Sequence, residues 1–355
     1  MAEERSMEMD AVTAHLDRGW DLLNRGELGA ARLSADHILR IDGESPEGHT
    51  LLGAIVAAEG DAEEAMELFR RAMDMDPEYL DAVLYAIELA IHPLEDFDVA
   101  LKLCDQAADL AADDIEALDV QLLRAEAWLG AGALDEARRA AGGLPPPPFP
   151  DPAYYLRAGR VLLEVELRSR AIELLEEAAR HEATRSDGHY FLGVALELED
   201  RPKDALEHFL TVHTLDQTQP GGAGDLPAGQ LDEVMRQVVA EMPEPLGSLL
   251  RGAPWRVLDY PAVELVAEGF DPRAAVLLTG IPADEPPAGG ARRRRTAARR
   301  RARLNCTFIY RRNVARFARA GGDVPAEIHR LLVQEAGYFF ALDEVELRRL
   351  LDARA

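Results

Sequence analysis

Lysine is almost missing from this chain of 355 residues: Lys102 and Lys203 stand against 37 arginines. Cysteine is as scarce. Cys104 and Cys306 are the only two and lie far apart, which excludes a disulfide framework and fits a reducing compartment. No apolar run approaches the roughly 18 residues of a membrane-spanning helix. The opening MAEERSMEMD is acidic and polar, unlike a signal or transit peptide. These absences predict a cytoplasmic protein with no membrane segment. Plentiful Ala, Arg and Gly beside so little Lys match the codon usage of a GC-rich bacterial genome.

Acid is in excess. Formal net charge is −26, unevenly spread: residues 230–355 carry 20 arginines against 17 acidic residues, whereas residues 1–229 carry 48 acidic and 19 basic ones. Such asymmetry predicts two modules with different surfaces. The acidic half should repel nucleic acid and anionic membranes.

The stretch Pro46–Tyr79, PEGHTLLGAIVAAEGDAEEAMELFRRAMDMDPEY, sets the pattern of the first module. It reads as two amphipathic helices around a Gly60-Asp61 turn, and Pro77 ends the second because its ring clashes with a continuing helix. Small residues Gly53, Ala65 and Ala72 stand where the two helices touch, with Leu52, Val56, Leu68 and Phe69 filling the space around them. Thirty-four residues in this arrangement resemble a tetratricopeptide repeat, a unit that cannot bury its apolar faces alone and therefore implies further copies. Aligned on Ala65, the small residue recurs at Ala31, Ala100, Ala137, Ala171 and Ala205. The frames are 12–45, 46–79, about 81–114, 118–151, 152–185 and 186–219, after an N-terminal extension 1–11. Gly19, Gly159 and Gly193 match Gly53, with Glu88 and Ala125 in the middle repeats; Gly26 and Gly132 match the turn at Gly60. Segment 145–150, PPPPFP, cannot be helical and reads as a rigid loop.

Arrays of this family are binding scaffolds whose first helices line a concave groove, so the resemblance implies a protein or peptide partner. In these frames the groove-facing positions include Leu16, Trp20, Tyr85, Leu89, Leu122, Glu126, Leu156, Arg160 and Tyr190. Repeat proteins that grip a carboxylate terminus use several cations at such positions. Arg160 is the only one here, and the aromatic and aliphatic residues favour an apolar anchor.

Residues 220–229, PGGAGDLPAG, form a Gly/Pro-rich linker. Beyond it a helix is expected from Leu231 to about Met242, strands at Trp255–Leu258, Ala275–Leu278 and Cys306–Tyr310, and a helix over Ala326–Leu342. That last helix carries an apolar stripe of Ile328, Leu331, Leu332, Ala336, Phe339 and Phe340. The fold class expected is therefore mainly α: a superhelical repeat array followed by a small α+β domain at 230–355. An arginine-rich loop over 284–303 holds eight arginines. It could neutralise phosphates, but no aromatics are interleaved and the neighbouring module is acidic, which argues against a nucleic-acid partner.

Residues 333–347, VQEAGYFFALDEVEL, resemble the helix of a small zincin-type metallopeptidase domain, whose motif is HExxHxxGxx followed by His or Asp. VLLTGIP at 276–282 and FIYRRNVARFA at 308–318 are similar to the segments preceding that motif. A working motif binds zinc through two histidines four residues apart, and the intervening Glu activates the metal-bound water. The matching positions here are Gln334, Glu335 and Tyr338, with Ala341 at the glycine and Glu344 at the third ligand. Both imidazoles are gone, so the resemblance implies an inactive, pseudo-peptidase domain with no metal and no cofactor, in which Gln334 and Tyr338 fill the vacated cleft beside Glu335. The alternatives are an active zinc peptidase with substrate recruited by the repeats, and a nucleic-acid-associated factor acting through the arginine-rich loop.

Overall fold

The computed structural model describes residues 2–218, 226–283, 302–317 and 323–352. Six helix pairs come first: α1 (Ala2–Asn24) and α2 (Leu28–Ile41), α3 (Pro46–Glu59) and α4 (Ala62–Met75), α5 (Leu80–Ile91) and α6 (Phe97–Leu110), α7 (Asp114–Gly130) and α8 (Leu134–Gly142), α9 (Pro152–Glu164) and α10 (Arg168–Ala178), α11 (Arg185–Leu198) and α12 (Pro202–Thr218). Side-chain caps start many of them. Ser45 accepts from the Gly48 N–H ahead of Pro46, and Asp61, Asp96, Asp113 and Asp151 cap α4, α6, α7 and α9 in the same way.

One backbone feature recurs in all six pairs. The residue five before each marker alanine adopts positive φ: Gly26 (74°), Gly60 (98°) and Gly132 (72°), but Glu95 (52°), Glu166 (62°) and Asp200 (57°) elsewhere. The turn geometry is thus held even where glycine is not supplied, at some cost in local strain. The marker alanines Ala31, Ala65, Ala100, Ala137, Ala171 and Ala205 are all fully buried. Size is complementary across the second to sixth pairs. A Cβ on Gly53 would lie 2.6 Å from the Phe69 ring, one on Gly193 2.6 Å from Phe209, and one on Gly159 2.7 Å from Leu175. Where the first helix instead carries Ala125 or Glu88, the facing position holds the smaller Ala141 or Cys104. The proline-rich segment is packed: Leu144 and Phe149 are buried, the Phe149 N–H donates to the Tyr155 hydroxyl at 3.0 Å, and the Arg170 guanidinium donates to the Leu144 carbonyl at 2.8 Å.

Contacts divide the chain into two compact units, residues 1–191 and 192–355. The second unit therefore includes the end of α11 and all of α12. It continues with α13 (Ala228–Glu241), α14 (Leu246–Arg251), β1 (Trp255–Leu258), α15 (Val263–Ala267), β2 (Val276–Ile281), β3 (Arg303–Tyr310), α16 (Arg311–Phe317), α17 (Val324–Phe339) and α18 (Glu344–Asp352). The sheet order is β1-β3-β2, with β1 parallel and β2 antiparallel to β3. β2 and β3 are both longer than the apolar run alone indicates. A bulge at Thr279/Gly280 lets pairing continue to Ile281 and Arg303, and only glycine fits, since a Cβ at Gly280 would meet the Arg303 carbonyl oxygen at 2.0 Å. The core joins the expected stripe of α17 to Leu231, Met235, Val238 and Val239 of α13 and to Val276, Leu278 and Ile309 of the sheet. No described helix is long and apolar enough to cross a membrane.

Inside the second unit, α12 is fastened by a buried ion cluster. The Asp216 carboxylate, 2% exposed, accepts from Arg273 Nε at 3.1 Å and Nη2 at 3.2 Å, and Arg316 Nη2 lies 2.8 Å away. Tyr260 donates its hydroxyl to the Asp216 carbonyl, and His213 Nε2 lies 2.9 Å from the Pro261 carbonyl.

Candidate functional site

The inward side of α5, α7 and α9, all in the first unit, forms a groove of two adjoining concavities of about 650 Å³ and 230 Å³, with Arg157 in the walls of both. Of the positions expected to face a groove, Tyr85, Glu126, Leu156 and Arg160 line these concavities. The other expected groove residues are placed differently. Leu89 and Leu122 are buried, because their helices rotate these positions into the interhelical core. Trp20 stacks on Tyr85 (centroids 5.3 Å, 12° between planes), and Tyr85 on Phe69 (5.9 Å, 17°), so the aromatics brace three successive repeats and do not stand free as anchors. Leu16 packs partly buried on the first repeat's core, and Tyr190 lies edge-on to Phe191 at 5.2 Å. The Arg160 guanidinium sits 4.8 Å above the Phe191 ring, a cation–π contact.

Much of the groove's character comes from polar residues outside that expected set, gathered around the expected Glu126. Arg157 forks onto Glu126, Nε to Oε1 at 3.1 Å and Nη2 to Oε2 at 2.9 Å, and reaches within 3.7 Å of Asp119. Tyr154 donates its hydroxyl to Asp119 Oδ2 at 2.8 Å. Burial pushes the Asp119 carboxyl above its ordinary range, with the Tyr154 bond and Arg157 opposing. Glu88 and Glu164 are exposed residues, yet the protein mass of the concavity raises both carboxyls, with Arg157 and Arg160 respectively pulling the other way. Both side chains keep access to water, so screening makes the effect per group small. Burial likewise pushes the Tyr85 phenol up to about 12. Glu88 had a sequence signal: it occupies the slot that is glycine in four repeats. Asp119 and Arg157 had none, since their pairing spans two repeats.

In the second unit the motif positions do not converge as the metallopeptidase resemblance implies. Tyr338 is 85% exposed, and Gln334 is exposed and accepts from Arg330 Nη1 at 2.9 Å. The expectation that the two fill a cleft beside Glu335 is thus overturned. Both lie on the outward face of α17, whose opposite face is committed to the core. Glu344 is 89% exposed at the start of α18, 3.9 Å from Arg348. Glu335 is half-buried; burial raises its carboxyl, while a hydrogen bond from the Leu278 N–H opposes the shift. Zinc does not fit this set: two neutral, solvent-facing side chains and a distant exposed acid offer no convergent donors. Among the described residues, no group of three His, Cys, Asp or Glu side chains is placed to hold a metal. His329 is buried and bonds the Leu350 carbonyl at 2.8 Å, tying α17 to the end of α18. The arginine-rich loop over 284–303 lies outside the described residues except at 302–303.

The tetratricopeptide repeat family model matches residues 16–79 and 156–220. No curated protein matches the chain. Among solved structures, pilF of Pseudomonas aeruginosa is similar at 15% identity, covering 60% of this chain and 95% of its own, with a TM-score of 0.48. A tetratricopeptide repeat protein from Parabacteroides merdae shares 16% identity, covering 57% and 78%, with a TM-score of 0.43. YrrB, a repeat protein described as having an unusual peptide-binding site, shares 12%, covering 52% and 93%, with a TM-score of 0.38. With twelve helices paired in frame and two stretches matched by the family model, this chain carries tetratricopeptide repeats.

Proposed function

We propose that this protein is a protein-binding scaffold whose ligand, a protein or peptide segment, seats in the groove over α5, α7 and α9. The observation that carries the reading is the groove itself: an open, two-lobed concavity with an apolar patch at Leu129, Leu156 and Val161 and polar groups around it. Tetratricopeptide repeat proteins generally act through such surfaces. The second unit is read as a non-catalytic module. What supports this is the replacement of both motif histidines by Gln334 and Tyr338 and the solvent-facing position of each.

The test is site-specific photocrosslinking in extract of the source cells, with a photoreactive residue at Leu156 in the groove or at the exposed Leu33 on α2. Discrete adducts are expected at position 156 and absent at 33. Identical adduct patterns at both positions would refute a groove-directed scaffold.

A further inference from the structure

We propose that the partner segment this groove takes is cationic, bearing arginine or lysine side chains beside apolar ones. The proposal rests on the scaffold reading above and names the chemistry of its ligand. Across the two concavities five carboxylates face two guanidiniums. Both guanidiniums are already engaged within the protein: Arg157 is forked on Glu126, and Arg160 lies over Phe191. Among the described residues Glu88 and Glu164 make no direct ion pair, although each stands in the groove wall. They lie in different lobes, so one peptide crossing the Arg157 divide could present a cation to each. The apolar lining at Leu129 and Leu156 gives the intervening side chains a place to bury.

Charge complementarity selects the occupant. An acidic segment, or a chain terminus offering its carboxylate, would add like charge to carboxylates that Arg157 and Arg160 offset only in part. A neutral segment would cover Glu88 and Glu164 and take their water without supplying a directly bonded cation, which is costly. An arginine fork or lysine ammonium satisfies them with charge-assisted hydrogen bonds. The surrounding field acts in the same direction, because residues 1–191 carry 41 acidic and 17 basic residues, so encounter with a cationic segment is steered.

The test uses the full chain at near-physiological salt and fluorescence anisotropy. Three labelled peptides share the same leucines and carry arginine, serine or glutamate at the remaining positions. The arginine peptide is expected to bind at least about tenfold tighter than the serine peptide, and the glutamate peptide not to bind. Glu88→Gln/Glu164→Gln should weaken the arginine peptide about tenfold, while Glu173→Gln/Glu176→Gln, two exposed acids on α10, should change it less than about twofold. Equal losses in both double variants would mean general surface attraction and overturn the proposal. Serine-peptide binding as tight as arginine-peptide binding, sensitive to Leu156→Asp, would overturn the cationic ligand and leave the scaffold reading standing. Failure of all three peptides to bind would count against both. Unchanged melting of each variant establishes that the fold is intact.

Discussion

Replacing Asp216 by asparagine should cost far more than its single lost charge indicates. The carboxylate is 2% exposed and faces the Arg273 side chain, itself 9% exposed, with Arg316 as a second cation at 2.8 Å. Asparagine keeps the shape and one acceptor oxygen but leaves two guanidiniums facing each other, one of them nearly out of water. Breaking a buried pair by removing one partner costs about 3–5 kcal/mol. At about 2–4 °C per kcal/mol for a unit of this size, the melting temperature of the second unit should fall by roughly 6–20 °C.

Trp255, whose Nε1–H donates to Asp232 at 2.7 Å, reports on that unit once Trp20 and Trp128 are changed to Phe. The matched control lies on the same helix. Asp204 pairs with Arg201 at 2.7 Å, but the two side chains are 49% and 54% exposed. Asp204→Asn should cost less than about 1 kcal/mol. Adding Arg273→Met to Asp216→Asn should recover part of the loss, since a buried guanidinium leaves with it. An Asp216→Asn penalty no larger than that of Asp204→Asn would refute the claim that buried ion pairing fastens α12.

Four further outcomes are expected. Gly53→Ala should lose about 1–3 kcal/mol in chemical denaturation, because the new methyl meets the Phe69 ring at 2.6 Å, and Phe69→Leu in the same chain should recover part of it. Glu95→Gly, at an exposed turn with φ 52°, should gain roughly 0.5–1 kcal/mol, as relief of left-handed strain exceeds the added chain entropy. Glu335 binds its proton more tightly when folded than when unfolded, so its contribution to stability is greatest at low pH and declines as pH rises through the folded value. In Glu335→Gln, urea titrations over a pH series should lose that part of the slope while the Leu278 N–H keeps an acceptor. Burial also raises Glu88 and Glu164, which must be ionised to hold a cation; affinity for the arginine peptide should therefore fall as pH is lowered, beginning above the ordinary carboxylate range, as anisotropy can follow.

What was legible in the sequence was local. A repeat needs a small residue at the helix–helix contact, a turn residue five positions earlier and a cap at the next helix start, and all three lie within one frame of about 34 residues. Frames, marker alanines and turn glycines could therefore be read directly, and strand β1 was found residue for residue. The groove was legible only as a set of positions. Whether a first-helix residue faces the concavity or the core depends on a rotation of a fraction of a turn, which moved Leu89 and Leu122 inside and joined Trp20, Tyr85 and Phe69 into a stack across three repeats. The ionic network failed to show for a different reason. Arg157 and Glu126 are 31 residues apart, and Arg273 and Asp216 are 57, distances at which sequence carries no pairing signal.

Glu335 illustrates why a motif read along one helix does not transfer when its partners are replaced. β2 is an edge strand, and an edge leaves outward N–H groups without a ladder partner. The carboxylate of Glu335 takes one of them, at Leu278, while Ala283 N–H just beyond the strand donates to the Phe339 carbonyl at 2.8 Å. The acid that a zinc motif would use to activate water here closes a sheet edge against α17. That role needs burial and an acceptor oxygen but no charge, which is why an uncharged glutamine should serve. It also makes no demand on positions 334 and 338, and an exposed Gln and Tyr there are compatible with it.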